Sequence, residues 1–86
     1  MDARRKRLLF RAQHMGTQEN DLLFGGFARE NLECLDDDLL DQLESLLEEN
    51  DNDLFTWVTG KAPPPARHDN ALMKLLIDFK IGSVTT

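Results

Sequence analysis

Leucines at 39, 43, 46 and 47 repeat at the i, i+4, i+7, i+8 spacing that places side chains on one face of a helix. The stripe predicts a helix opening after Asp36, an N-cap residue whose carboxylate can accept a bond from an unpaired amide of the first turn. Leu35 and Leu40 flank that cap at the spacing of a hydrophobic staple, and Asp37 and Asp38 lie at the positive end of the helix dipole. Upstream, Leu8, Leu9, Phe10 and Ala12 supply the apolar positions of a first helix from Ala3 to His14. Gly16 interrupts it. Thr17 is a good N-cap for a second helix, with Gln18 and Glu19 in its first turn and Leu22, Leu23, Phe27 and Ala28 on its stripe. Gly25 and Gly26 weaken the middle of that helix by about 1 kcal/mol each. A fourth, short helix begins near Asp51, read as its cap, and carries Leu54, Phe55, Trp57 and Val58 before Gly60 ends it as the C′ residue. Phe55 and Trp57 read as core residues, with Trp57 as the anchor. The stretch 62–66 holds Pro63, Pro64 and Pro65, a stiff extended connector. A last helix from about Arg67 to Phe79 carries Ala71, Leu72, Leu75, Leu76 and Phe79, and residues 82–86 read as a frayed tail.

No window combines period-2 alternation with β-branched enrichment, and Val and Ile are scarce, so the fold class is all-α: a small five-helix bundle forming one domain over 1–86. A chain of 86 residues builds one core with a radius of gyration near 12 Å. It is too short for a dinucleotide-binding α/β fold. No apolar run approaches the roughly 18 residues of a membrane span, and the N-terminus lacks the apolar stretch of a signal peptide. Cys34 is the one cysteine. It cannot form an internal disulfide, which fits a reducing compartment, and beside leucines it reads as a small buried hydrophobe.

The net charge of −6 hides an asymmetry. Arg4, Arg5, Lys6, Arg7 and Arg11 face only Asp2 within the first 14 residues, whereas residues 30–53 hold eleven acids and no Lys or Arg. An acidic protein is repelled by phosphate backbones, so nucleic acid is not expected as a partner. The basic start reads instead as a solvated or protein-docking face.

Catalytic chemistry finds little support. Two histidines and one cysteine lack metal-ligand spacing, so no metal is expected. The acidic stretch 36–41 lacks the mid-loop glycine of a calcium loop. Gly25 and Gly26 precede no Lys-Ser/Thr pair, and no nucleophile stands near a base. The chain reads as a binding protein rather than an enzyme. The segment His14-Met15-Gly16-Thr17-Gln18-Glu19 stands out, because a glycine between two helices lets another backbone approach closely. It is equally a plain inter-helix turn with an acid at a helix N-terminus.

The order of these features resembles the SdhE family of flavinylation factors, with the YgfY-like fold. A basic helix over Arg4 to Arg11 is followed by Gly16-Thr17-Gln18-Glu19, a leucine-rich acidic helix over Leu35 to Leu47, and then Asp51-Asn52-Asp53-Leu54-Phe55-Thr56-Trp57. The likeness spans about residues 4–80. Met15 stands where the family motif has arginine, and methionine lacks that charged planar fork. The resemblance implies an assembly factor that binds the flavoprotein subunit of succinate dehydrogenase, and in bacteria often fumarate reductase. Such a factor promotes covalent attachment of FAD to the client. The FAD belongs to the client, with none bound stably by the factor. On the motif, Gly16 and Glu19 are the client-facing residues and Met15 holds the altered position. Arg7, Arg11, His14 and Asp21 are flanking contacts. Two other readings stay open: an antitoxin-like regulator that masks a basic partner, and an acidic helical adaptor. The short lead before the first helix leaves no room for a transit peptide, so the bacterial cytoplasm is expected, and with no heptad seam long enough for a coiled coil the default is a monomer.

Overall fold

Each helix opens on a side chain that closes its first turn. The computed structural model describes the backbone of residues 2–85 and the side chains of residues 2–79. Helix α1 (Ala3–Gln13) starts where the Asp2 carboxylate accepts from the Arg5 amide at 2.8 Å. Helix α2 (Gln18–Asn31) is capped by Thr17, and α3 (Asp37–Leu46) by Asp36, which accepts from the Leu39 amide at 2.9 Å. Helix α4 (Asp51–Val58) is capped by Asn50, whose amide oxygen accepts from the Asp53 N–H at 2.9 Å. Helix α5 (Ala71–Thr85) follows Asn70, which accepts from the Met73 N–H at 3.0 Å. These caps satisfy amides that the helices cannot pair internally. Two 3₁₀ turns, Leu32–Cys34 and Ala66–His68, complete the order, and no strand occurs among the described residues.

Several boundaries differ from the sequence reading. Asn50, rather than Asp51, caps α4, because its side chain is the one that reaches the third amide of the helix. The last helix begins at Ala71, not Arg67. Arg67 and His68 belong to the 3₁₀ turn and both reach back to Glu49, while Asp69 leaves helical geometry at φ −86°, ψ 77°. The backbone of α5 continues through Gly82 to Thr85, over most of the stretch expected as a tail, and Thr86 lies outside the described residues. Gly60 takes φ +80° and ends α4 as the C′ residue, a conformation open to glycine and strained for other residues.

Helix α1 lies along α2, which also packs against α4 and α5; α5 in turn touches α3 and α4. Glycine eases the α1–α2 approach. A Cβ on Gly25 would stand 3.1 Å from Gln13 Cγ and 3.5 Å from the Ala12 carbonyl oxygen, so the glycine that weakens α2 locally spares Gln13 a shift of a few tenths of an ångström. Phe24, Phe27, Leu32, Leu43, Leu54 and Leu76 are fully buried at the centre. Each contributes about 1.5–3 kcal/mol by leaving water. Leu35 and Leu40, the staple pair, are buried beside the Asp36 cap. In α4 the buried residues are Leu54 and Val58. Trp57 is only partly buried against the core and Phe55 is half-exposed, so neither is the expected central anchor. Cys34 is exposed rather than buried, since the 3₁₀ turn directs Leu32 inward in its place. The radius of gyration is 11.8 Å. Among the described residues no helix is long and apolar enough to cross a membrane.

The basic cluster of α1 is partly consumed by the fold. Arg5 donates through Nε to the Leu32 carbonyl oxygen at 2.9 Å, through Nη2 to that of Leu35 at 2.5 Å, and through Nη1 to Asp2 at 2.5 Å. It thereby satisfies carbonyls just beyond the end of α2. Arg4 pairs with Asp41 and lies 3.5 Å from Glu44, joining α1 to α3.

Candidate functional site

The turn between α1 and α2 is tied by short polar links. The Asp21 carboxylate accepts from the Met15 N–H, and the Asp21 amide donates to the Thr17 carbonyl oxygen at 3.0 Å. The Met15 side chain turns partly inward against the core. Gly16 is exposed at the apex, and Glu19 is exposed one turn further along.

Helix α4 closes the other side. Asn20 is wholly buried and donates through Nδ2 to the Asp51 carbonyl oxygen at 3.0 Å. Its Oδ1 has no partner among the described residues, a cost of about 1–3 kcal/mol for a buried acceptor. With the backbone of Asp51 held there, its carboxylate lies over Gly16: a Cβ on Gly16 would stand 2.0 Å from Asp51 Oδ2 and 3.1 Å from Cγ. The backbone of Gly16 has no positive φ, so a side chain there would meet no backbone strain, only the movable end of Asp51. Between the turn and α4 opens a cleft of about 230 Å³ lined by Thr17, Glu19, Asp51, Asn52 and Phe55. Its two charged walls are both carboxylates. Lys61 Nζ stands 5.4 Å from the centre of the Phe55 ring, a cation over an aromatic face.

The remaining sequence candidates lie on α1 or at its end. His14 stacks on Phe10 with ring centres 4.1 Å apart, and its Nδ1 donates to the Phe10 carbonyl oxygen at 2.8 Å. That bond puts the proton on Nδ1. Phe10 is nonetheless 62% exposed, so the stacked pair faces solvent. Arg11 is exposed and donates to the Leu47 carbonyl oxygen at 3.3 Å, a cation at the C-terminus of α3. Arg7 stands exposed a turn earlier. Thus Glu19 lines the cleft, Gly16 lies under the Asp51 carboxylate beside it, Met15 and Asp21 brace the turn, and Arg7, Arg11 and His14 do not line the cleft. Sequence reasoning assigned Asp51 to capping and Phe55 to the core, and so missed both as cleft walls. Their signal was present in the Asp51 to Trp57 segment but was read as packing.

A second polar cluster pins the proline connector. Glu49 accepts from Arg67 Nη2 at 2.8 Å and from Nε at 3.0 Å, and from buried His68 Nε2 at 2.6 Å. The His68 ring lies 5.7 Å from that of Trp57. The His68 bond first, and the Arg67 bond second, hold the Glu49 carboxyl below its ordinary value. Among the described residues no group of three or more His, Cys, Asp or Glu is placed to hold a metal ion.

Comparison with known proteins adds a family. Residues 6–80 match the family model described as flavinator of succinate dehydrogenase. The chain is 37% identical over 76 residues to the FAD assembly factor SdhE of Acetobacter pasteurianus, covering 88% of this chain and 70% of that one. It is 41% identical over 81 residues to the mitochondrial succinate dehydrogenase assembly factor 2 of Aedes aegypti, covering 91% of this chain and 50% of that protein. The corresponding protein of Candida glabrata is 37% identical over 83 residues, covering 92% and 54%. The chain thus spans about half the length of these mitochondrial relatives.

Proposed function

The chain belongs to the family of flavinators of succinate dehydrogenase, and on that premise we propose that it is a non-catalytic assembly factor for the flavoprotein subunit of that enzyme. The match over residues 6–80 carries this reading, since it includes the turn and every residue that lines the cleft. The factor binds the client flavoprotein in the conformation competent for covalent FAD attachment and so raises the population of that state. Gly16 and Glu19 face the client, and the exposed Arg7, Arg11 and His14 flank them on α1.

The FAD itself stays with the client. A cleft of about 230 Å³ walled by Glu19 and Asp51 is small and repels a pyrophosphate, so these residues do not fit the dinucleotide. No step of the attachment runs through this chain. Met15 cannot present the planar cation of the family motif, which leaves Arg7 and Arg11 as the exposed cations nearest the turn on α1. Fumarate reductase is a second client of the same chemistry, and the factor acts as a monomer in the bacterial cytoplasm.

The test is in-gel flavin fluorescence of the flavoprotein subunit with the gene deleted, restored, and restored as Met15→Arg. Covalent flavin should fall on deletion and return with the native sequence. Undiminished fluorescence after deletion would overturn the reading.

A further inference from the structure

We propose that Asp51 belongs to the client-facing site, as the group for which Gly16 leaves room. This rests on the assembly-factor reading above and adds to it a residue from a different helix. Gly16 has no positive φ, so its backbone is open to other residues. Its exposure gives it no burial requirement. What excludes a side chain is the Asp51 carboxylate, 2.0 Å from where a Cβ would lie. That carboxylate is not there by chance of rotamer alone. Asn50 caps α4 directly before it, and buried Asn20 holds the Asp51 carbonyl oxygen at 3.0 Å, which fixes the start of α4 against the first turn of α2. From this position Asp51 touches the turn at Gly16 and walls the same cleft as Glu19. A methyl group on Gly16 would push the carboxylate aside while leaving the helices where they are, because only the end of a side chain must move. The expected effect of substituting Gly16 is then a displaced Asp51 carboxylate rather than a changed backbone.

The inference predicts that Gly16 and Asp51 act as one unit. The experiment measures the dissociation constant of the purified flavoprotein subunit for the native chain, Gly16→Ala, Asp51→Ala and the double variant. Melting temperatures are recorded alongside. Each single substitution should weaken binding about tenfold, and the double variant about tenfold again relative to native rather than a hundredfold, because the second change removes nothing further. Melting temperatures should stay close to native for Gly16→Ala, which separates misplacement at the site from loss of the fold. If Asp51→Ala does not fold, Asp51→Asn takes its place: it keeps the volume over Gly16, removes the charge, and should weaken binding alone. Native affinity in the folded Asp51 variant beside a defective Gly16→Ala would overturn the proposal and assign the glycine to close approach of the client. Multiplying effects in the double variant would overturn it too. If the native chain itself does not bind the flavoprotein, the assembly-factor reading falls and this inference falls with it.

Discussion

His68 Nε2 donates to the Glu49 carboxylate at 2.6 Å, across the gap between the proline connector and the loop after α3. With Arg67 on the same oxygen, this bond holds the Glu49 carboxyl below its ordinary value of 4.5. A carboxyl group whose pKa is lowered by folding stabilises the fold in its ionised form, fully so above the ordinary value, and that contribution is lost as pH falls through the folded value. The native chain should therefore melt above Glu49→Gln by a steady margin from about pH 5 to 6, and the margin should shrink below about pH 4.5. Thermal melts of both proteins across pH 3 to 6 check this. A margin that ignores pH would assign Glu49 to shape rather than charge.

The arginines of α1 divide into those the fold uses and those it leaves outside. Arg5, whose side chain is 19% exposed, ties up the carbonyl oxygens of Leu32 and Leu35. Arg5→Met should cost about 1–3 kcal/mol, chiefly at the Leu35 carbonyl oxygen, since that of Leu32 also accepts from the Leu35 N–H at 3.3 Å. Arg7→Met, at an exposed position, should change stability by less than about 0.5 kcal/mol. Urea unfolding of the two variants measures the difference, and equal costs would show that Arg5 is as dispensable as its neighbour.

Burial likewise separates the aromatic residues. Phe24 is fully buried in α2, and Phe24→Ala should cost about 3–5 kcal/mol. That is a large share of the roughly 4–13 kcal/mol available to a chain of this length. Trp57 is only partly buried, and Trp57→Ala should cost about 2 kcal/mol. Chemical denaturation orders the two. A larger loss at Trp57 would restore it as the anchor of the core.

The leucine stripe of α3 was legible because a single period, repeated over ten positions, leaves one burial pattern. The Thr17 and Asp36 caps were legible for a local reason, since a cap acts within three residues. Asn50 and Asp51 are both good caps, and only the geometry shows that Asn50 closes the turn while Asp51 is turned toward Gly16. The start of α5 was misplaced because Glu49, 18 positions before Arg67, decides the conformation of the turn before it. The cleft failed for the same reason on a larger scale. Gly16 and Glu19 are visible as a motif, but the wall opposite them comes from α4, and the bond that brings it there joins residues 31 positions apart. No local pattern carries that distance.

Helices α1 and α2 are consecutive in the chain and pack side by side, joined by residues 14–17. The entropy lost in closing a loop grows with the logarithm of its length, so this pairing closes ahead of those that bring α4 and α5 onto α2. The turn at Gly16 therefore takes shape early in folding, as part of a hairpin. The Asp51 carboxylate reaches that turn only through the docking of α4. Completion of the cleft thus reports arrival of the slower helices, and an incompletely folded chain presents the turn without its opposite wall.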